Sequence, residues 1–226
     1  MTMRGIIAAG LMPALLLAGC VVRDEVVTLT VRPDGSADLV VFHASIRATE
    51  EGPKGEEALQ QYAVAFDART SGDFERITRA GGEVTEARWV RKDPPCATLI
   101  AASLPEAAVL ERYGSTGEDD GEVRVRTRFT SDGPVRRLTT TLHLPDGFRP
   151  PDEEPRAPER IQADRANAFS ETRVVVTRGR ITGARGWTIA PDRRSALLAP
   201  DDITALLRDR PEPAELFIEW EIDDPS

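Results

Sequence analysis

The stretch EVVTLTVRPDGSADLVVFHASIR, residues 25–47, constrains the fold more than any other part of the chain. Val27, Leu29 and Val31 alternate with Thr28, Thr30 and Arg32. That period of two gives an extended backbone one apolar face and one wet face. Between two β-rich runs stand Pro33-Asp34-Gly35-Ser36, the chemistry of a tight turn with one residue at positive φ. The sequence therefore predicts a β-hairpin here.

From Pro53 to Gly82 the period changes. Ala58, Leu59, Tyr62, Ala63 and Phe66 form the apolar stripe of an amphipathic helix, with Glu56, Glu57, Gln60 and Gln61 opposite. A second short helix is expected in SGDFERITRAGG, capped by Ser71 or Asp73, with Phe74 and Ile77 inward and Gly81-Gly82 ending it. Strands are expected at Glu83 to Arg91 and Cys96 to Ala102. Ser103, Pro105 and Glu106 then read as a helix start, stopped at Gly114. Asp201-Asp202 read as the cap of another helix through Leu207, and AELFIEWEI as a closing strand that alternates Leu216, Ile218, Trp220 and Ile222 with Phe217, Glu219 and Glu221.

The segment GEVRVRTRFTSDGPVRRLTTTLHLP predicts a second hairpin. With Asp132-Gly133 as the turn, Arg124 would oppose Thr141, Arg126 would oppose Thr139, and Arg128 would oppose Arg137. Arg124, Arg126, Arg128 and Arg137 then share one face, a surface for an anion or an acidic partner, because planar guanidinium groups match carboxylate or phosphate oxygens two at a time. The more ordinary reading of the same face is a solvated one whose arginines pair with local carboxylates such as Glu122 and Asp132. Prolines at 145, 150, 151, 155 and 158 exclude a central strand and mark residues 146–157 as an exposed loop. Strands and helices come in clusters rather than in strict alternation. The expected class is α+β: a mainly antiparallel sheet built from hairpins, with three to five short helices packed on one face.

The first twenty residues consist of a basic start, MTMR, an apolar run from Gly5 to Leu17 and the small pair Ala18-Gly19 before Cys20. This is a signal-peptide layout. The apolar run is short of the roughly 20 residues that cross a bilayer as a helix, and Pro13 interrupts it. Leu17-Ala18-Gly19-Cys20 resembles the lipobox of bacterial lipoproteins. The resemblance implies removal of residues 1–19 and lipidation of Cys20, on its thiol and then on its freed amine. Two or three acyl chains hold a protein stably at a membrane, since each buried CH₂ contributes about 0.8 kcal/mol. In lipoproteins of the common Gram-negative type an Asp after the lipidated Cys favours the inner membrane; Val21 in that position favours the outer one. A strand, an Asp-Gly turn and a strand at the start of the mature chain are also similar to LppM-type envelope lipoproteins, over the first hairpin alone. Residues 20–226 remain, enough for a single globular domain with a real core.

The chain carries a net charge of −9, which argues against nucleic acid as a partner. Of its 29 Lys+Arg only Lys54 and Lys92 are lysine. With Cys20 lipidated, Cys96 is the one thiol left, so no internal disulfide is expected, and an inert buried thiol at a strand start is its expected state. His43 and His143 sit inside expected strands without sequence-local partners and read as structural residues rather than metal ligands or general bases. The acidic loop with Glu118, Asp119, Asp120 and Glu122 lacks the alternating Asp positions of an EF-hand and reads as a solvated turn. There is no HExxH, GxSxG, Walker loop or GxGxxG. No cofactor, metal or catalytic residue is therefore expected. The leading expectation is a non-catalytic envelope lipoprotein that reaches the membrane through Cys20 and binds an envelope partner or supports assembly. Two alternatives stand beside it: a ligand- or lipid-handling module with an internal cavity, and an enzyme whose site forms only in the fold.

Overall fold

The first hairpin forms the centre of the computed structural model, which describes residues 21–108, 124–143, 171–199 and 214–222. Strand β1, Val21–Val31, pairs antiparallel with β2, Ala37–Ala48, with Leu29 opposite Leu39 and Val27 opposite Val41. Gly35 supplies the positive φ of the turn, at 89°. β2 then takes β4, Cys96–Leu104, on its other edge, and β4 takes β3, Glu83–Arg91. On the far side β1 pairs in parallel with β7, Glu171–Val176, followed by β10, Ser195–Leu198, and β9, Thr188–Ile189. The result is a seven-stranded sheet in the order β3-β4-β2-β1-β7-β10-β9.

A second, four-stranded sheet has the order β5-β6-β11-β8, from Arg124–Asp132, Val135–His143, Ala214–Glu221 and Arg180–Arg185. The inner side of this sheet carries Leu138, Ile181, Leu216, Ile218 and Trp220. They join Val27, Leu29, Val31, Leu39, Val41, Ile100 and Val174 of the larger sheet in one continuous core. The two turns meet: Arg136 Nε donates to Pro33 O at 2.8 Å, and the Phe129 ring lies over Gly35, leaving a Cβ there only 2.6 Å from Phe129 Cδ1.

Among the described residues helix is confined to a single bent stretch of 27 residues, which breaks into α1, Pro53–Asp67, and α2, Gly72–Arg79. Phe66 of α1 and Phe74 and Ile77 of α2 are buried against the apolar face of β3, β4, β2 and β1, where Phe66 meets Trp89 edge-on at 5.0 Å. Phe66, Phe74 and Ile77 are inward as expected, and Asp73, expected only as a cap, is buried beside them. Among the described residues no helix is long and apolar enough to cross a membrane.

The expected α+β class, with three to five helices on one antiparallel sheet, is overturned. Among the described residues the protein is mostly β, 57% strand, with two sheets in place of one. Two physical reasons are visible. The apolar face of the first sheet is shared, with helices covering one part and the second sheet the rest, so fewer helices are needed. At Pro105–Ala108, where a helix start is expected, the chain is irregular, because the Ala107 amide donates to Gly35 O at 2.6 Å and Ala107 is buried instead of opening a helix. The remainder of that segment, the 201–207 segment and the 146–157 loop lie outside the described residues, as does the acidic loop at 118–122.

The second hairpin is offset from its expected pairing. Gly133-Pro134, not Asp132-Gly133, form the turn, so Arg124 opposes His143, Arg126 opposes Thr141, Arg128 opposes Thr139 and Arg137 opposes Thr130. Gly133 has φ 55°, and Pro, fixed near −65°, suits the second central position of a turn whose first is positive. The offset is an even one, so each strand keeps its faces and the four arginines remain on one side.

The two turn glycines separate strain from crowding. Gly133 has nothing within 4 Å of a built Cβ, so Gly133→Ala is expected to cost only the left-handed backbone strain, about 1–2 kcal/mol. Gly35→Ala meets the Phe129 ring as well and is expected to cost about 2–4 kcal/mol. Urea unfolding of the two variants checks the order; equal losses would mean that the sheets do not touch at this turn.

Candidate functional site

A polar row crosses the apolar face of the larger sheet. In register from β1 to β3 stand Glu25, His43, Thr98 and Trp89. Glu25 and His43 are buried at positions whose parity is otherwise apolar: the same face carries Val27, Leu29 and Val31 on β1 and Leu39 and Val41 on β2, all buried. A bulge between Asp24 and Glu25, and a second irregularity between His43 and Ile46, place the pair at the last regular rung of the β1–β2–β4 ladder.

The helices bring the partners. His43 Nε2 lies 3.0 Å from Glu25 Oε2 and 3.7 Å from Asp73 Oδ2 of α2. On the other side of the ring, Nδ1 lies 3.0 Å from Thr98 Oγ1 and 3.1 Å from the Tyr62 hydroxyl of α1. Glu25 as a carboxylate can only accept, so the consistent tautomer carries its proton on Nε2 and accepts from a hydroxyl at Nδ1. Burial holds the imidazole below its ordinary pKa, while the Glu25 hydrogen bond works in the opposite direction. Burial likewise pushes the Tyr62 phenol up.

Two arginines complete the cluster. Arg23 of β1 grips Asp73 with Nη1 at 2.8 Å and Nη2 at 3.3 Å, and its Nε lies 3.6 Å from Glu25 Oε2. Arg76, one turn after Asp73 on α2, pairs with the same carboxylate and lies 3.8 Å from Glu25 Oε2. With His43 neutral, two carboxylates face two guanidinium groups. The cluster is neutral as a whole, which is what its burial demands.

The ligand atoms of Glu25, His43 and Asp73 lie within 4.8 Å of one another, a donor set that suits a divalent cation. The arginines decide against that use. A cation there would sit beside two guanidinium groups already seated on both carboxylates, and like charges at that distance repel strongly in a buried setting. Nor is His43 placed to act on a substrate: the side chain is fully buried, and both ring nitrogens have protein partners. What the arrangement does is hold α2 and α1 in one seat on the sheet.

The expected site residues lie elsewhere. Arg126 and Arg128 are exposed on the outer side of the smaller sheet and have no ion-pair partner among the described residues. Arg137 is half-buried, with its guanidinium 3.9 Å from the centre of the Phe217 ring and Nε 3.9 Å from Glu219 Oε2. Arg124 shares their side of the hairpin by register, and its side chain, like that of His143, is outside the described residues. Cys96 is buried and donates its thiol to Lys92 O at 3.1 Å; burial pushes its pKa up, as an inert thiol requires. Cys20 is outside the described residues. Sequence reasoning placed His43 as a structural strand residue and missed Glu25, Asp73, Arg23 and Arg76. One signal was present: charged or titratable residues at apolar parity in both strands of the first hairpin.

Removing one member should leave its partners' charges buried and unpaired. Asp73→Ala is expected to lower stability by about 3–5 kcal/mol in urea unfolding. His43 predicts a pH effect whose sign follows from its lowered pKa. The unfolded chain takes up a proton on His43 near pH 6.5, the folded one only at lower pH, so stability falls as pH drops below about 6.5. A His43→Gln variant should lack that part of the slope; unfolding curves at pH 7.5, 6.5 and 5.5 check it. In comparison with known proteins, the chain matches no family model, no curated sequence and no solved structure.

Proposed function

We propose that the protein is a lipid-anchored module of the bacterial cell envelope, held at the membrane by acyl chains on Cys20, that works by binding a partner rather than by catalysis. The observation that carries this reading is the state of the buried cluster. Where titratable groups converge among the described residues, they are sealed and neutralise one another, whereas Arg126 and Arg128 stand exposed and have no ion-pair partner among those residues. The Leu17-Ala18-Gly19-Cys20 leader supports the location, and Val21 after the cysteine favours the outer membrane where the cell has one.

The partner surface is the outer side of the smaller sheet. Arg126 and Arg128 project from β5, and Arg137 stacks on Phe217 beside them. Planar guanidinium groups on a rigid sheet suit a carboxylate-rich partner. Glu215, Glu219 and Glu221 on β11 belong to the same sheet, so the positive surface is local to β5 and β6 and is not a property of the whole face.

Two experiments test the two parts. Cys20→Ser is expected to move the protein from the membrane fraction to the soluble one, or to leave the leader uncleaved; a variant processed and membrane-bound like the wild type would defeat the anchor. Arg126→Glu together with Arg128→Glu is expected to abolish capture of the envelope partner from native membranes, with stability changed by no more than a surface substitution allows, about 0.5 kcal/mol. Full capture by that folded variant would remove these arginines from the interface.

A further inference from the structure

Resting on lipidation of Cys20, we infer that the domain stands end-on against the lipid headgroups, on the loops that flank the start of β1. The residue after Cys20 is Val21, and Val21 is already in β1, opposite Ala48 of β2. No linker separates the acylated residue from the sheet. A protein on a long tether samples every orientation, but here the acyl chains enter the bilayer one residue from a paired strand, and the sheet end that carries them has to lie at the surface.

Register identifies what else lies at that end. Ala48 runs into the exposed residues 49–52 before α1 and the exposed start of that helix. Cys96 pairs with Ile46, so the exposed turn 92–95 between β3 and β4 projects beyond the same end. The first turn of α1 and the β3–β4 turn hold both lysines of the chain, Lys54 and Lys92. Residues 47–54 and 91–95 contribute Arg47, Lys54, Arg91 and Lys92 against Glu50, Glu51 and Asp93, and Asp24 of β1, paired with Arg47 at 3.3 Å, brings this end to balance in a protein whose net charge is −9. This end thus escapes the acidic balance that would repel the rest of the surface from anionic lipid. Lys54 is well exposed and only 3.9 Å from Glu50, Lys92 has no ion-pair partner among the described residues, and Val90, at the end of β3, is 46% exposed. Lysine heads with flexible stems reach phosphate from such a position.

Lying flat gains no electrostatic advantage. The open side of the larger sheet, across from the core, carries Asp38, Glu83, Glu86 and Glu171 against Arg88, Arg91 and Arg173, with Glu86 and Asp38 already paired to Arg88 and Arg32, so it has no cationic excess to offer anionic lipid. Upright, β1 carries its far end away from the surface at about 3.3 Å per residue. The turn at Asp34, and the β5–β6 turn that Arg136 ties to Pro33, then face away from the bilayer.

The test uses the full chain purified from its native membranes, in vesicles that include anionic lipid. Single cysteines are placed at Thr49, Lys92 and Asp34 in a Cys96→Ala background and carry a fluorophore quenched by spin-labelled lipid headgroups. Quenching several-fold stronger at 49 and 92 than at 34 is expected. Equal quenching at all three positions, as in a flat or freely tumbling domain, would overturn the orientation while leaving the anchor intact. Detergent phase separation of the same preparation reads the anchor separately: recovery of the wild type in the aqueous phase would defeat lipidation itself. A Lys54→Glu, Lys92→Glu variant is expected to weaken quenching at 49 severalfold and to remain in the detergent phase; unchanged quenching would overturn the role given to the lysines.

Discussion

The register between β1 and β2 is the constraint on which the rest of the structure depends. β2 offers its second edge to β4, and β1 offers its second edge to β7, so both flanks of the larger sheet inherit the alignment of this one pair. A slip of one residue would turn Val27, Leu29 and Val31 away from the core and carry Thr28 and Thr30 into it. The same slip would part Glu25 from His43. Apolar pattern and charge pairing therefore select the same alignment, and the turn at Gly35, with the Phe129 ring resting on it, fixes where the pattern begins.

The buried cluster contributes specificity more than net stability. Removing four charged side chains from water costs several kcal/mol for each ion, and their mutual attraction roughly offsets that cost, so apolar residues of similar volume would hold the sheet and helices about as well. What apolar residues would not provide is a single position for α2. Phe74 and Ile77 would be satisfied by many small rotations of the helix, whereas Asp73 must meet Arg23 across the sheet while Arg76 reaches back to the same carboxylate. Tyr62 and Thr98 close the remaining side of His43 and set α1 in the same way.

Much of this was legible in the chain. The first hairpin, α1, α2, β3 and β4 are each announced by a local period and a local stop signal, and local signals survive in the fold because each element buries the face its period defines. The number of sheets was not legible, since nothing in VRVRTRF or AELFIEWEI says which neighbour a strand will take. Both read as strands, and pairing between β6 and β11 joins residues far apart in sequence. The parallel pairing of β1 with β7 is hidden for the same reason. The hairpin offset at Gly133-Pro134 came from turn chemistry: Asp-Gly and Gly-Pro are both turn dipeptides, and only the fixed φ of Pro134 separates them. At the cluster, His43 and Glu25 were readable as anomalies within an apolar face, but Asp73 looked like a helix cap, and capping is a local use that a distant Arg23 overrides.

The start of β1 links the cluster to the proposed anchor. Among the described residues, Val21 to Glu25 have only β2 as a strand neighbour, because β7 begins to pair at Val26. An end paired on one side frays, and a load applied through acyl chains on Cys20 would act on that end first. Arg23 lies three residues from the cysteine and is fastened to Asp73 of α2 by two hydrogen bonds, with Glu25 beside it held by His43. The ion pairs thus tie this singly paired end to α2 from the face of the sheet. A long, flexible tether would make such reinforcement unnecessary, whereas an anchor one residue from the sheet requires that the first rung of the sheet not open. With Cys20 lipidated as proposed, the buried charges and the anchor belong to one design, in which the domain meets the membrane as a rigid body.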